Sequence, residues 1–281
     1  MSAIQESAMQ EPENIRSREP AGEQEILVVS FGTSYRETRE KTIGAIENYT
    51  QEAFPDWEVR RAFTSRIILK KLRERDGLVM DDPAAALEKA VRSGVRRLLV
   101  MPTHLMDGKE YHMLEEAVQK YEGRFESCAV SAPLLSKTSD FERLAAAVEE
   151  ELLPRMGKDE AAVIMGHGTD AASNAVYAKL QTLLKDRIFV ATVEGTPTLE
   201  DILPLLKDSG AKRALLSPLM IVAGDHAVND LAGEEEDSWK SVLEKEGYRV
   251  SALLKGLGEY EKVRQLFADH VREAMQGMVT G

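Results

Sequence analysis

The pattern of apolar and polar positions alternates between short apolar runs and longer amphipathic stretches. The apolar runs are rich in β-branched residues and end at glycine or small polar residues, which is typical of buried parallel strands. An example is 161–165, AAVIM, which stops at Gly166. We predict strands at 26–30, 57–63, 97–101, 127–131, 163–165, 188–193, 213–217 and 248–253.

The stretches between these runs repeat their apolar positions every three to four residues, which predicts helices. Asp82 followed by Pro83 is a typical helix start, and Thr64 with Ser65 predicts another. We predict helices at 37–54, 66–75, 83–93, 109–121, 139–153, 171–185, 199–208, 238–246 and 259–278. Strands alternating with helices of this length favour right-handed βαβ units and parallel sheets.

The two halves of the chain resemble each other. The segment 94–102, GVRRLLVMP, matches 210–218, GAKRALLSP, and at the same offset Glu110 falls on His226. A second match places Phe31 where His167 stands. We therefore predict an α/β fold of two similar Rossmann-like domains, whose parallel sheets face each other across a cleft. The predicted divisions are a disordered polar tail (1–24), a first domain (25–137) and a second domain (138–281), with a terminal helix that packs back on the first domain.

Three residues with metal-binding side chains each follow a predicted strand and lie beside glycine: His167, Glu194 and His226. Ligands of open α/β sheets bind at the carboxyl ends of strands, so these side chains are expected to converge. Glu194 comes directly after a buried strand, where a charge is costly without a partner. Two imidazoles and a carboxylate suit a divalent cobalt, nickel, iron or zinc ion and leave coordination positions for a substrate.

Composition excludes several classes of function. The net charge of −12 and a pI near 5.1 argue against a large nucleic-acid footprint. The one cysteine, Cys128, excludes an intramolecular disulfide and fits a reducing compartment. No segment approaches the ~20 apolar residues of a membrane span, residues 1–24 have no secretory apolar region, and no P-loop predicts a nucleotide. A cytoplasmic location is predicted.

Two charged regions each leave two interpretations open. The basic cluster Arg60, Arg61, Arg66, Lys70, Lys71, Arg73 and Arg75 is either a solvated helix face or, through Arg66 and the helix start at Ser65, a carboxylate-binding site. Asp225, Asp230 and the acidic run 234–237 are either a solvated loop or support for a metal near His226. His104, after the third predicted strand, is a weaker cleft candidate.

Several motifs together resemble one family. They are 26–34 (ILVVSFGTS), 61–65 (RAFTS), 72–77 (LRERDG), 165–168 (MGHG), 218–230 (PLMIVAGDHAVND) and 237–239 (DSW). In these segments the chain resembles the anaerobic sirohydrochlorin cobaltochelatases of cobalamin biosynthesis, which are class II chelatases related more distantly to protoporphyrin ferrochelatases. The resemblance extends from about residue 26 to near the C-terminus.

The resemblance implies two Rossmann-like domains with a tetrapyrrole in the cleft between them. Its metal and catalytic site, two histidines and a glutamate, transfers to His167, Glu194 and His226. Because the substrate carries carboxylates, we expect it to meet the basic cluster, and the flat ring to pack on apolar groups. The predicted substrate contacts are Phe31, Thr33, Ser34, Ser65, Arg66, Leu105 and Met106.

The expected function is insertion of Co²⁺ into sirohydrochlorin with release of two protons. Either imidazole, and by preference that of His167, accepts pyrrole protons, while Glu194 orients an imidazole, completes the coordination or carries protons away. Insertion of Fe²⁺ toward sirohaem is the close variant, and Ni²⁺ is also compatible with the ligands. A zinc hydrolase and a non-catalytic metal or tetrapyrrole carrier are the remaining alternatives. We expect a homo-oligomer with no nucleotide, nucleic-acid or membrane partner.

Overall fold

The computed structural model describes residues 19–169 and 172–279, which form two four-stranded parallel sheets flanked by helices. The strands of the two sheets have the orders β2-β1-β3-β4 and β6-β5-β7-β8, so both halves repeat one topology. The strands are β1 (Gln24–Ser30), β2 (Glu58–Phe63), β3 (Arg97–Pro102), β4 (Ser127–Val130), β5 (Glu160–Gly166), β6 (Ile188–Thr192), β7 (Arg213–Pro218) and β8 (Arg249–Ala252). The predicted α/β fold with parallel sheets is confirmed.

The helices connect successive strands in the manner of βαβ units. They are α1 (Arg36–Arg39), α2 (Ala45–Ala53), α3 (Arg66–Asp76), α4 (Pro83–Arg92), α5 (Lys109–Gln119), α6 (Thr138–Leu152), α7 (Ala175–Gln181), α8 (Leu199–Asp208), α9 (Trp239–Lys245) and α10 (Glu261–Val279). A π-helical turn, Glu40–Gly44, joins α1 to α2, and another, Ala227–Leu231, follows β7. The helix predicted at 171–185 is shorter in the structure, a 3₁₀ turn (Ala172–Asn174) followed by α7; Ala171 lies outside the described residues.

The carboxyl ends of the central strands emerge from fully buried segments. Every residue of β5 is buried, as are the last six residues of β1. Strands covered on both faces are apolar along their whole length, which explains the continuous apolar runs in the sequence. The loops that follow these strands therefore begin from rigid positions.

The terminal helix α10 ties the two halves together. It packs on α2, β3 and β4 of the first half and on α6. His270, on its buried face, contacts the carbonyl oxygen of Ala132 through Nδ1 at 3.3 Å and lies with Nε2 3.3 Å from Asp140 Oδ2. One core cluster accordingly contains Val28 of the first sheet, Ile164 of the second and Phe267 of α10.

The sequence predicts a disordered tail through residue 24, and residues 1–18 of it lie outside the described residues. The part that is described contacts the first half of the chain: Glu19 pairs with Arg92 of α4, and the backbone N–H groups of Ala21 and Gly22 donate to Glu58 of β2. Within the described residues, no helix combines the length and the apolar character that crossing a bilayer requires.

Candidate metal centre

His167, Glu194 and His226 meet at the carboxyl edge of the second sheet. His167 follows β5, Glu194 follows β6, and His226 lies beyond β7, so three adjacent strands supply them. His167 Nδ1 lies 3.8 Å from Glu194 Oε2, and the two imidazole rings are perpendicular with centroids 4.9 Å apart. One ligand atom from each residue lies within 4.8 Å of the other two. The convergence expected from the sequence is therefore present in the fold.

The turn that carries His167 needs its two glycines for different reasons. A Cβ at Gly166 would lie 2.2 Å from the Tyr177 ring. Gly168 has φ +85°, in the left-handed region, and a Cβ there would lie 2.5 Å from the backbone nitrogen of Gly195. This close approach, with the 2.8 Å bond from Glu194 N–H to the His167 carbonyl, locks the β5 and β6 loops together.

Hydrogen bonds orient both imidazoles. His226 Nδ1 lies 2.6 Å from Asp230 Oδ2, and His167 Nδ1 lies 3.1 Å from the Gly168 carbonyl oxygen. A carbonyl or carboxylate oxygen can only accept, so each Nδ1 donates and each Nε2 lone pair remains available. The Asp230–His226 pair is the arrangement in which an outer carboxylate fixes the tautomer of a metal ligand.

The distances fit an open metal site. Bonds of ~2.1 Å from a metal ion to imidazole nitrogen or carboxylate oxygen place two donors at most ~4.2 Å apart. The possible ligand atoms of His167, Glu194 and His226 all lie within 4.8 Å of one another, so only a small closing movement is needed. Three protein ligands leave further coordination positions for water or a substrate.

Glu194 is more open than the sequence implies. The argument that its carboxylate is buried and costly was wrong, because its side chain is 59% exposed and that of His167 is 48% exposed. The strand before it is buried, but the loop turns outward at its end. The metal centre thus faces solvent and the opposite domain.

Two residues of the first domain stand across from this centre. Glu110, at the start of α5, lies with Oε2 3.8 Å from His104 Nε2. Partial burial raises the pKa of Glu110, and the nearby imidazole of His167 offsets part of that rise. Burial lowers the pKa of His104 to about 4, and neither of its ring nitrogens has a hydrogen-bond partner among the described residues. His104 is therefore neutral at neutral pH.

The predicted substrate contacts differ in how much surface they offer. Phe31, directly after β1, is 53% exposed, and Arg66, at the first turn of α3, is exposed. Thr33 and Ser34 are buried, and Thr33 Oγ1 accepts a hydrogen bond from the backbone of Tyr35. Phe31 and Arg66 are therefore the exposed members of this set.

The other predicted contacts support their own loops. Ser65 is buried and caps α3, its Oγ accepting from the Ile68 backbone at 3.4 Å. Leu105 and Met106 are partly buried against the shared core, and Met106 forms an isolated β-bridge with Leu135.

The basic cluster divides into structural and exposed members. Arg60 is fully buried near Glu25 and Asp81, and Arg61 makes two hydrogen bonds to the carboxylate of Glu47. Arg75 pairs with Asp76. The members on the exposed surface of α3 are Arg66, Lys70, Lys71 and Arg73.

The acidic residues near His226 divide in the same way. Asp230 supports the imidazole, and Asp225 accepts a hydrogen bond from Tyr35. In the acidic run, Glu234 pairs with Lys240 and Glu236 with Lys245, on the surface. The interpretation as metal support thus fits Asp230, and the solvated loop fits the run.

Sequence reasoning did not select Tyr35 or Glu110 as site residues. The internal repeat carried a signal for Glu110, because it aligns that residue with His226. Tyr35 carried no such signal, since its contact spans 190 positions of the chain.

A family model and several relatives match most of the chain. The family model described as cobalt chelatase (CbiK) matches residues 24–276. The chain is 38% identical over 253 residues to a sirohydrochlorin cobaltochelatase of Salmonella typhimurium, covering 89% of this chain and 96% of that protein. It is 35% identical over 265 residues to the sirohydrochlorin cobaltochelatase CbiKC of Nitratidesulfovibrio vulgaris, covering 92% and 93%.

Solved structures resemble the chain at lower identity. SirB from Bacillus subtilis with Fe³⁺ superposes with a TM-score of 0.63 at 16% identity, covering 90% of this chain and 97% of that one. SirB from Bacillus subtilis subspecies spizizenii in complex with cobalt gives a TM-score of 0.58 at 14% identity, covering 92% and 97%. At these identities the likeness establishes the fold.

Proposed function

The chain belongs to the cobalt chelatase (CbiK) family, and from that membership we propose that it inserts Co²⁺ into sirohydrochlorin for anaerobic cobalamin synthesis. The observation that carries the proposal is the grouping of His167, Glu194 and His226 within 4.8 Å at an open edge of the second sheet. Both relatives named above are sirohydrochlorin cobaltochelatases and match nearly end to end.

The chain's own residues supply what insertion requires. His167 and His226 hold the incoming Co²⁺ through their Nε2 atoms, and Glu194 completes the ligand set. As the metal passes to the ring, two pyrrole N–H protons must leave, and imidazole exchanges protons near neutral pH. His167 is the favoured acceptor, because Glu194 lies 3.8 Å away and can take the proton onward.

The first domain binds the ring. Phe31 offers an apolar face, and Arg66 at the start of α3 offers a guanidinium to the ring carboxylates. Thr33, Ser34, Ser65, Leu105 and Met106 stay predicted contacts. The homo-oligomer and the cytoplasmic location also stay predictions; sedimentation velocity checks the first.

The test is metal insertion followed by absorbance, with Co²⁺ and separately with Fe²⁺. His167→Ala, Glu194→Ala and His226→Ala are expected to lose at least about a hundredfold in rate while remaining folded, since each removes a ligand. His112→Ala and Glu200→Ala remove the same groups from exposed helices and are expected to leave the rate unchanged.

The outcomes separate the alternatives. The ratio of the Co²⁺ and Fe²⁺ rates identifies the preferred metal. A wild type that binds the ring and never metallates it contradicts the chelatase and favours a carrier. Insertion that survives loss of all three ligands contradicts the assigned site.

A further inference from the structure

A hydrogen bond crosses the cleft beside the metal ligands. The Tyr35 hydroxyl, from the loop after β1, donates to Asp225 Oδ1 at 3.1 Å, and Asp225 directly precedes His226. The pKa of Tyr35 is raised by burial and by this hydrogen bond, so the hydroxyl keeps its proton. The loop of one domain is thus tied to the segment that carries a ligand of the other.

Hydrogen bonds fix the backbone of the loop that holds Tyr35. The carbonyl oxygen of Thr33 accepts a hydrogen bond from the buried Arg39 at 3.1 Å, and that of Ser34 accepts one from Arg75. The Tyr35 backbone N–H donates to Thr33 Oγ1 at 3.2 Å. These hydrogen bonds hold the backbone around Tyr35 in place, so its hydroxyl has a defined position.

His226 is the ligand whose position depends on such a point. His167 and Glu194 are locked together by the bond between their backbones and by the contact of Gly168 with Gly195. His226 instead follows 219–224, a segment without helix or strand beyond the end of β7, and stands with Asp225 at the start of the helical turn that continues into Ala227–Leu231. Ile221 and Ala223 of this segment pack against Gly256, which also contacts Thr42 of the first domain.

We propose that Tyr35 is a positioning residue for the metal ligand His226. Through Asp225, its hydroxyl holds this outlying imidazole against the His167–Glu194 pair, so that metal binding is coupled to the approach of the two domains. The inference rests on the metal site assigned under the proposed function. When the tie is lost, only a fraction of molecules has the three ligands assembled, and the apparent Kd for the metal rises by the inverse of that fraction.

The test is titration of the full chain with Co²⁺ alone, followed by visible absorbance, without any tetrapyrrole. Tyr35→Phe is expected to raise the Kd for Co²⁺ roughly fivefold to tenfold, as for loss of one hydrogen bond of typical net strength. Tyr121→Phe removes a hydroxyl beyond the end of α5 and is expected to bind Co²⁺ as the wild type does. Under insertion conditions Tyr35→Phe raises the KM for Co²⁺ and leaves kcat near its original value.

The partner residue sharpens the test. Asp225→Asn keeps an oxygen that accepts from Tyr35 and is expected to retain most of the affinity, whereas Asp225→Ala loses as much as Tyr35→Phe. The double variant Tyr35→Phe/Asp225→Ala is expected to lose no more than either single one. Unchanged Co²⁺ affinity in Tyr35→Phe, or fully additive losses in the double variant, overturns the positioning role.

The proposed function and the role of Tyr35 are tested by different outcomes. A wild type that binds Co²⁺ through the three ligands and inserts none overturns the chelatase while the Tyr35 comparison still decides the tie. A wild type that binds no Co²⁺ overturns both.

Discussion

At the scale of single residues, the proposed metal centre includes a carboxylate that need not touch the ion. Asp230 accepts from His226 Nδ1 at 2.6 Å and so leaves Nε2 as the nitrogen that would bind the metal. We expect Asp230→Ala to lower Co²⁺ affinity about tenfold to a hundredfold, because the imidazole loses its fixed tautomer and orientation. Isothermal titration with Co²⁺ measures this, and Asp208→Ala, an exposed carboxylate on α8, is the control. Equal affinities in the two variants would contradict the role.

His104 gives a pH dependence of stability with a defined sign. Its folded-state pKa of about 4 lies below the usual value of 6.5, because the ring is buried. The unfolded chain therefore takes up the proton first, and the contribution of the neutral ring to stability is lost as pH falls from 6.5 toward 4. We expect the difference in unfolding free energy between wild type and His104→Gln to shrink by roughly 2 kcal/mol between pH 8 and pH 5.

Urea unfolding at several pH values measures this difference. Other titrating groups, such as the buried Glu25, are common to both proteins and cancel. A difference that stays constant with pH would show that His104 titrates normally in the folded protein.

At the scale of elements, the turn after β5 depends on the contact between two loops. Gly168 and Gly210 both have positive φ, but a Cβ at Gly168 meets the Gly195 backbone, whereas one at Gly210 meets no atom of the described part of the chain within 4 Å. We expect Gly210→Ala to cost about 1 kcal/mol of unfolding free energy from backbone strain, and Gly168→Ala to cost several kcal/mol. Only Gly168→Ala should also weaken Co²⁺ binding, since His167 and Glu194 must separate. Equal losses from the two substitutions would refute the loop contact.

Helix α3 offers a test of where the ring carboxylates bind. Arg66 lies in its first turn, where the helix dipole adds to the guanidinium charge, while Arg73 lies in its last turn. We expect Arg66→Gln to raise the KM for sirohydrochlorin about tenfold, the loss of one charge-assisted hydrogen bond. Arg73→Gln is expected to leave it unchanged. Initial rates at varied sirohydrochlorin measure both, and a change that is equal in both would indicate only general electrostatic attraction.

The elements, and the convergence of His167, Glu194 and His226, could be predicted because both follow from local patterns. The strand ends that carry His167 and Glu194 are readable as apolar runs stopped by glycine. Which members of the basic cluster are exposed could not be predicted from the sequence. Arg60 and Arg61 lie on a buried strand and pair with carboxylates that are distant in sequence. The Tyr35 contact was missed for the same reason. Local patterns give the elements, and long-range pairs depend on how the elements pack.

At the scale of the whole molecule, the two halves share a core and are expected to unfold together. Phe267 of α10 is 1% exposed within the cluster that joins both sheets. Phe267→Ala is expected to cost about 3–5 kcal/mol. Trp57 belongs to the first half and Trp239 to the second, and they are the two tryptophans of the chain. Variants with a single tryptophan therefore report each half separately.

Urea unfolding followed by fluorescence makes the comparison. We expect coincident transitions from the Trp57→Phe and Trp239→Phe proteins, both shifted equally by Phe267→Ala. Leu87→Ala, in the outer core of the first half, should also shift both. A Leu87→Ala shift seen by Trp57 alone would mean that the halves unfold independently.

The exposure of His167 and Glu194 has a consequence for the lifetime of an ion bound at the proposed site. Cobalt that is transferred to a substrate does not need to be fully enclosed by protein ligands. An ion that keeps some water ligands exchanges readily. The same openness admits competitors, and imidazole–carboxylate sites bind Cu²⁺ more strongly than Co²⁺. Copper is therefore expected to compete with cobalt for the same three side chains at the proposed site. We expect such a site to work at full rate only where other molecules keep free copper scarce.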